Sequence, residues 1–211
     1  MDLASQIAKK LLQVNAIKLK PNDPFTWASG MKSPIYCDNR ISLSYPSIRT
    51  FIKEQLCTVS KGFEKFDTIA GVATAGIAHG ALMADYLEKP FAYIRSKPKE
   101  HGRQNLIEGR LEEGADVLVV EDLISTGMSS LRAVEAVREA GCNVVGVIAI
   151  FSYNFPKAKK AFEAADCPLR TLSNYDVLLT QAVAQEYIDQ KELEILKIWN
   201  QDPSKWALDN A

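Results

Sequence analysis

The feature that most constrains the fold is an alternation of short apolar runs with stretches of helical periodicity through the middle of the chain. The apolar runs lie at 68–72, 91–94, 117–120 and 144–151, and the helical stretches lie at 76–87, 127–140 and 155–165. Such alternation is typical of β-α-β units, in which each helix crosses one face of a parallel sheet. The sequence therefore predicts an α/β fold with a central, mostly parallel sheet flanked by helices.

Both ends of the chain lie outside this alternation. Residues 2–16 carry apolar side chains at helical spacing, Pro46 begins a second helix, and a strand at 168–173 and a helix at 175–188 precede an amphipathic tail. A length of 211 residues suits one domain. We expect a single domain over 1–211, with a core at about 45–190 and a smaller part formed by residues 1–40 and the C-terminal tail.

The charge balance and the cysteines limit the class of protein. Lys and Arg number 25 against 26 Asp and Glu, so the net charge of -1 gives no general attraction for nucleic acid or acidic membranes. The 4 cysteines form no C-x-x-C pair and there are 2 histidines, which argues against a structural zinc site. We find no signal peptide and no apolar stretch near ~20 residues, and we expect a cytoplasmic protein with reduced thiols.

The segment at 117–130 carries the clearest chemistry. A buried strand ends in Glu121 and Asp122 and continues through a Ser-Thr-Gly turn into a helix. Ligands of parallel sheets bind at the carboxyl ends of the strands, and the start of a helix favours an anion. Backbone N–H groups and hydroxyls of 125–129 could hold a phosphate, while the two carboxylates suit ribose hydroxyls. The alternative is that the acidic pair merely ends a strand and the turn caps a helix.

This run of four apolar residues, an acidic pair, a short spacer and Thr-Gly resembles the phosphoribosyl-pyrophosphate motif of type I phosphoribosyltransferases. Neither the P-loop nor the dinucleotide fingerprint is found. The resemblance implies a core that binds ribose phosphate, a hood that selects the base, and a flexible loop over the pyrophosphate. The hood would be formed by the N-terminal and C-terminal segments. The residues that it assigns to phosphoribosyl pyrophosphate here are Glu121, Asp122, Leu123, Ile124, Ser125, Thr126, Gly127, Met128 and Ser129.

A polar, cation-rich segment at 95–110 follows the strand at 91–94. It is far longer than the roughly 2–6 residues usual between such elements, although a solvated surface loop is the default interpretation. Its pattern R-x-x-x-K-x-H-G resembles the catalytic loop of orotate phosphoribosyltransferases. The resemblance implies that Arg95, Lys99 and His101 are catalytic and bind phosphoribosyl pyrophosphate, and that the protein is a homodimer with shared active sites.

The segment at 25–40 resembles the hood motif F-x-x-x-S-G-x-x-S-P-x-Y-x-D of the same enzymes. Taken by itself it is a Gly- and Pro-containing loop between two elements. Tyr36 could stack on a flat pyrimidine, and nearby backbone groups could pair with its amide edge. The resemblance implies that Tyr36 and Cys37, together with Ser125, bind orotate.

A fourth segment, 70–77, follows a strand and opens a helix with small residues. Small side chains would let the backbone approach a pyrophosphate, although a tight β-α turn explains them equally well. The position matches the pyrophosphate loop of the family, which implies that Thr74 and Ala75 contact phosphoribosyl pyrophosphate.

The chain departs from the family pattern in several places. Ala28 and Ala75 stand where many bacterial orotate enzymes have lysine, and 152–155 replaces an Asp-Arg pair whose arginine binds the carboxylate of orotate. Arg40 is our substitute candidate for that carboxylate. His79 lies on an apolar helix face, and we interpret it as structural.

Together these segments predict transfer of a phosphoribosyl group from phosphoribosyl pyrophosphate to orotate, giving orotidine 5′-phosphate in pyrimidine biosynthesis. Mg²⁺ is the expected cofactor, bound mainly through substrate phosphates and not by a dedicated protein site. Two alternatives stay open, because 117–130 identifies only a ribose phosphate: an enzyme for a purine base, and a regulatory module that binds RNA or DNA. The hood motif argues against the first, and the charge of -1 argues against the second.

Overall fold

The computed structural model describes residues 1–27, 30–97 and 106–209. The strands are β1 (Ile17–Leu19), β2 (Phe25–Thr26), β3 (Lys32–Ser33), β4 (Ile35–Cys37), β5 (Thr68–Val72), β6 (Phe91–Ile94), β7 (Ile107–Glu108), β8 (Asp116–Ile124), β9 (Asn143–Ser152) and β10 (Leu169–Asn174). The helices are α1 (Leu3–Gln13), α2 (Pro46–Ser60), α3 (Ala75–Tyr86), α4 (Met128–Glu139), α5 (Pro156–Ala164), α6 (Tyr175–Ala184), α7 (Gln190–Gln201) and α8 (Pro203–Asp209), with a 3-10 helix at Asn39–Ser44.

The described strands include a 6-stranded sheet in the order β10-β9-β8-β5-β6-β7. β5 runs parallel to β6 and β8, and β8 runs parallel to β9, whereas β7 is antiparallel to β6. The predicted α/β class with a mostly parallel sheet is therefore confirmed. Since parallel strands share a direction, the carboxyl ends of β5, β8 and β9 meet at one edge of the sheet.

The core of this sheet is apolar on both faces, as expected for a parallel sheet covered by helices. Every residue of β5 is buried, and Val117 to Val120 of β8 are fully buried. Side chains of α4 and α5, including Val137 and Phe162, join the same cluster. The continuous apolar runs at 68–72 and 117–120 thus correspond to strand segments that are buried along their whole length.

The chain divides into two compact units, one of Met1–Ile48 with Ser173–Ala211 and the other of Arg49–Leu172. In the first unit α1 packs against α6, and the Ser173 hydroxyl donates to the Ala4 carbonyl at 2.8 Å. The fully buried Trp199 contacts the rings of Trp27 and Tyr175 at centroid distances of 6.2 and 5.5 Å. Because of these contacts α6 belongs to the first unit, although the core was expected to reach about residue 190.

Some predicted boundaries were wrong. The helix at 2–16 ends at Gln13, because Asn15 takes the left-handed conformation with φ of 57° and β1 begins at Ile17. The strand at 117–120 continues through the acidic pair to Ile124, because this extension pairs with β9 up to Ser152. No helix in the described part of the chain is long and apolar enough to cross a bilayer.

Candidate active site

Two of the predicted segments meet at the carboxyl edge of the sheet. Gly71 of β5 pairs with Val120 of β8, so the turn that follows β5 lies beside the acidic pair of β8. A Cβ at Gly76 would overlap the carbonyl oxygen of Val120 and would lie 3.2 Å from the Cα of Glu121. Only glycine permits this close approach. The backbone of the predicted pyrophosphate segment thus packs directly on the start of the ribose-phosphate motif.

The predicted pyrophosphate residues occupy the start of α3. Thr74 is exposed and is the N-cap residue, and Ala75 is the first residue of the helix. The Ala73 N–H donates to the Ile94 carbonyl of β6 at 2.8 Å, which ties the turn to the neighbouring strand. Their backbone therefore lies at the edge where a ligand of a parallel sheet binds.

The turn between β8 and α4 leaves the start of the helix open. Gly127 is the N-cap residue, in the left-handed conformation with φ of 80°, and no side chain caps α4. A Cβ at Gly127 would lie 2.8 Å from the Phe162 ring, which is a second reason for glycine here. Interpreting Ser125 or Thr126 as a simple cap is therefore wrong. The two half-buried hydroxyls and the first N–H groups of α4 are the donors expected of a phosphate site.

Glu121 is a buried carboxyl inside β8, with 5% of its surface exposed. Its Oε1 accepts from the backbone N–H of Asp122 at 3.0 Å, and its Oε2 accepts from the Ser130 hydroxyl at 3.3 Å. Burial, followed by the charge of Asp122, raises the pKa of Glu121 above the usual carboxyl range. The Glu121 carboxyl therefore accepts two hydrogen bonds from the protein, can accept more, and is largely shielded from water.

The other residues of this segment differ in what they can offer to a ligand. Asp122 and Leu123 are half-buried, whereas Met128 and Ser129 are exposed on the first turn of α4. Ile124 is fully buried and its side chain packs in the core. Its carbonyl accepts from the Tyr153 N–H at 3.0 Å. The side chain of Ile124 thus serves the core, and any contact it makes with a ligand comes from its backbone.

The Ser130 hydroxyl contacts the Glu121 carboxyl, and the sequence did not predict this contact. Ser130 belongs to the inward stripe of α4 with Ala133, Val134 and Val137, all of which are buried. The available signal was a polar side chain on an otherwise apolar stripe. Because its partner Glu121 lies on another element, the sequence pattern could not name the contact.

The predicted loop at 95–110 is closed at its base by a short hairpin. The Arg95 N–H donates to the Leu106 carbonyl at 2.7 Å, and Tyr93 pairs with Glu108 of β7. The Arg95 guanidinium lies 3.4 Å from the Glu108 carboxylate. Lys99 and His101 lie outside the described residues, so their roles stay predictions.

The predicted orotate residues of the hood segment lie in the first unit. Tyr36 and Cys37 belong to β4, which pairs with β1 through Lys18 and Ile17 respectively. The ring of Tyr36 lies 5.7 Å from that of Phe25. Tyr36 is nevertheless 39% exposed, so part of the residue stays accessible. Ala28 lies outside the described residues.

Arg40 already has an anionic partner. Its Nε and Nη2 donate to the two carboxylate oxygens of Asp38 at 2.7 and 2.9 Å, a bidentate arrangement. The hydrogen bond from Arg40 lowers the pKa of Asp38 below its usual value. A carboxylate of orotate at this guanidinium would have to compete with Asp38 or share the donors.

The turn that stands in place of the family's Asp-Arg pair is tightly organised. The Ser152 hydroxyl oxygen accepts from the Asn154 N–H at 3.0 Å, and the rings of Tyr153 and Phe155 lie 5.3 Å apart. Asn154 is exposed between these two buried aromatic residues. No cation replaces the missing arginine within this turn.

His79 is almost completely buried on α3, at 1% exposure, and its Nε2 has no hydrogen-bond partner among the described residues. Burial lowers its pKa to about 4, so the ring is neutral at pH 7. These properties suit the structural role predicted for it. Across the described ranges, no three His, Cys, Asp or Glu side chains converge into a group that could hold a metal ion.

Comparison with known proteins agrees with this geometry. The family model "Phosphoribosyl transferase domain" matches residues 44–178. The chain is 53% identical over 206 residues to an orotate phosphoribosyltransferase of Bacteroides fragilis, covering 97% of each chain. It is 50% identical over 208 residues to the Listeria monocytogenes orotate phosphoribosyltransferase, covering 98% of this chain and 100% of the relative.

A solved structure extends the likeness to the fold. The crystal structure of orotate phosphoribosyltransferase from Aeropyrum pernix superimposes with a TM-score of 0.75 at 26% identity, covering 87% of this chain and 99% of that one. The same family is indicated by the motif at the carboxyl edge, the matched domain and the nearly full-length relatives. The chain belongs to the phosphoribosyltransferase family and, within it, to the orotate phosphoribosyltransferases.

Proposed function

We propose that the chain transfers the 5-phosphoribosyl group of 5-phospho-α-D-ribose 1-diphosphate to orotate, giving orotidine 5′-phosphate and pyrophosphate in de novo synthesis of UMP. The observation that carries this function is the carboxyl edge of the sheet. There the buried Glu121, the half-buried Asp122 and the uncapped start of α4 lie together in a member of the orotate phosphoribosyltransferase family.

The first half of the site binds the ribose phosphate. Backbone N–H groups and hydroxyls between Ser125 and Ser129 receive the 5′-phosphate, because the helix start favours an anion. The carboxyl groups of Glu121 and Asp122 accept the 2′ and 3′ hydroxyls of the ribose. The turn at Thr74 and Ala75 offers its backbone to the diphosphate beside them.

The other requirement of the reaction is to stabilise the charges that develop in the transition state. As the bond from C1′ to the diphosphate lengthens, positive charge grows on the ribose and negative charge grows on the leaving group. Preorganised charges that match this distribution lower the barrier. The proposed roles of Arg95, Lys99 and His101 are to stabilise the departing pyrophosphate while N1 of orotate attacks C1′ from the opposite face.

Orotate recognition is assigned to Tyr36, Cys37, Arg40 and Ser125. Tyr36 supplies an accessible aromatic surface for a flat ring. Arg40 is a candidate for the carboxylate of orotate, in exchange for part of its pairing with Asp38.

The proposed enzyme works with Mg²⁺. This ion takes oxygen ligands, keeps several waters and usually binds together with substrate phosphates, whose charge it neutralises. The polar groups at the carboxyl edge fit that arrangement, because N–H groups would donate to the 5′-phosphate and the carboxyl groups would accept from the ribose hydroxyls. The chain itself would then contribute few ligands, and the ion would supply charge neutralisation at the diphosphate.

The proposed enzyme is a cytoplasmic homodimer with shared active sites. Cys37, Cys57, Cys142 and Cys167 all lie within the described residues and form no disulfide, which supports a reducing compartment. The dimer is supported by the resemblance of the 95–110 segment to a loop that acts across a dimer interface. Light scattering on the purified chain tests the oligomeric state, and a monomer with full activity would contradict shared sites.

The experiment that tests the function offers the purified chain phosphoribosyl pyrophosphate and Mg²⁺ with one base at a time. Orotate, uracil, adenine, hypoxanthine and xanthine are compared, and nucleotide and pyrophosphate are followed by chromatography. We expect turnover of orotate only. Turnover of a purine would refute the specificity assigned to the hood, and binding without any turnover would indicate a regulatory module.

Lys99→Ala tests the proposed charge stabilisation. We expect kcat to fall by about 10²-fold or more while the Kd of orotate changes little, since the lysine would act on the leaving group in the transition state. Lys97→Ala, which removes a neighbouring cation of the same segment, is the matched control for net charge. An unchanged kcat in Lys99→Ala would remove this residue from the mechanism.

A further inference from the structure

Ser130 makes a contact that differs from those of other helical hydroxyls in the chain. Thr58, Ser60 and Thr180 each donate to a carbonyl of their own helix, at 2.8, 2.9 and 3.0 Å, which is the usual local contact of such side chains. Ser130 instead donates from α4 to a carboxyl oxygen of Glu121 on β8. The contact spans two elements and is not part of helix capping.

The position of Ser130 makes this contact hard to replace. Its side chain is 1% exposed, so water does not reach it readily from outside. Glu121 is also buried, at 5% exposure, and a buried carboxyl without donors is costly. The Asp122 N–H serves one oxygen of Glu121, and Ser130 serves the other.

These two donors also determine the orientation of the carboxyl plane. Each oxygen of a carboxyl group has two lone pairs, and each oxygen of Glu121 accepts from one protein donor, either the Asp122 N–H or the Ser130 hydroxyl. The remaining lone pairs are those that can accept ribose hydroxyls. Loss of the Ser130 hydroxyl would release one end of the carboxyl group and leave it free to rotate.

We propose that Ser130 is a positioning residue for ribose recognition, whose hydroxyl fixes the Glu121 carboxyl in the orientation that accepts the hydroxyls of phosphoribosyl pyrophosphate. The proposal rests on the proposed function of Glu121 as a ribose acceptor. It adds a residue to those assigned to phosphoribosyl pyrophosphate in the 117–130 segment, the last of which is Ser129. Ser130 acts through Glu121 and makes no contact with the reacting atoms.

The test compares Ser130→Ala with wild type in the full-length chain. Kinetics with orotate and Mg²⁺ give kcat and both KM values, and calorimetry gives the Kd of phosphoribosyl pyrophosphate. We expect KM and Kd for phosphoribosyl pyrophosphate to rise about fivefold, the equivalent of one typical hydrogen bond. The KM for orotate should not change. Ser60→Ala, which removes another buried helical hydroxyl far along the sequence, is the control for stability and should leave these constants at wild-type values.

A double-mutant cycle separates positioning from general structural damage. In a Glu121→Ala background, Ser130→Ala should change the Kd of phosphoribosyl pyrophosphate by less than about twofold, because the carboxyl group that it positions is absent. A full fivefold effect in that background would overturn the proposal. So would a wild-type Kd in Ser130→Ala itself.

Two further outcomes are covered by the same design. If Ser130→Ala does not fold, Ser130→Cys keeps the shape with a weaker donor, and a raised Kd supports the proposal whereas an unchanged Kd overturns it. If the wild type binds phosphoribosyl pyrophosphate but does not convert orotate, the proposed function fails. The calorimetric comparison still decides the role of Ser130.

Discussion

Replacing the buried carboxyl of Glu121 by an amide should change how the stability of the chain depends on pH. Burial and the charge of Asp122 raise the pKa of Glu121 in the folded chain above that in the unfolded chain. The folded state therefore holds the proton to higher pH. The stability contributed by this group is complete below the ordinary carboxyl range and is lost as the pH rises toward the folded pKa.

The size of the effect follows from linkage. Between the two pKa values, the free energy of unfolding of the wild type falls by about 1.4 kcal/mol per pH unit on account of this group. The amide of Glu121→Gln does not titrate. From pH 5 to pH 7 the variant should therefore gain about 2–3 kcal/mol of stability relative to wild type.

Urea unfolding of the full chain at pH 5, 6 and 7 measures this difference. Glu64→Gln, which removes an exposed carboxylate, is the control for the change in net charge. A stability difference between Glu121→Gln and wild type that is the same at all three pH values would refute the reasoning. Glu121 would then ionise as readily in the folded chain as in the unfolded chain.

Other changes test the packing of the site and of the first unit. Gly76→Ala should lower the free energy of unfolding by about 1–3 kcal/mol, because its Cβ would overlap the Val120 carbonyl, and a wild-type urea midpoint would contradict this. The ring resonances of His79 should keep their neutral-form positions in NMR spectra from pH 8 to about 5.5, because burial lowers its pKa to about 4. Its contribution to stability is present above the unfolded pKa and is lost as the pH falls toward 4, so a titration midpoint near 6.5 would be the contrary result. Trp199→Ala should cost about 3–5 kcal/mol in urea unfolding, because the ring is fully buried against Tyr175, and a loss below about 1 kcal/mol would show that the unit tolerates the cavity.

The sheet was predictable because its strands are buried on both faces. β5 and the first half of β8 are uninterrupted apolar runs. Their alternation with helices indicates a parallel sheet covered on both faces. β7 was missed because two residues, Ile107 and Glu108, have no periodicity, and their pairing with β6 is a tertiary contact. The extension of β8 was missed because charged residues usually mark the end of a buried strand.

In the candidate site, too, local features could be predicted from the sequence, whereas contacts between elements could not. Local pattern indicated Glu121 and Gly127, because an acidic pair at the end of an apolar run and a glycine before a helix are both visible in the sequence and match the motif that the chain resembles. It could not show that the Glu121 carboxyl is held by Ser130, because this contact depends on how α4 packs on β8. Arg40 and Asp38 are only two residues apart, so their pairing is a local contact that the sequence alone could have predicted.

The hairpin between β6 and β7 determines which part of the chain can vary without disturbing the rest. The Arg95 N–H to Leu106 carbonyl bond fixes both ends of a segment that carries Lys99 and His101. Doubling the length of a loop with fixed ends costs only about 0.6 kcal/mol. We therefore expect insertions between these two anchors to leave the register of Tyr93 with Glu108 intact. Evolution or design should then be able to change the chemistry of this segment without changing the fold.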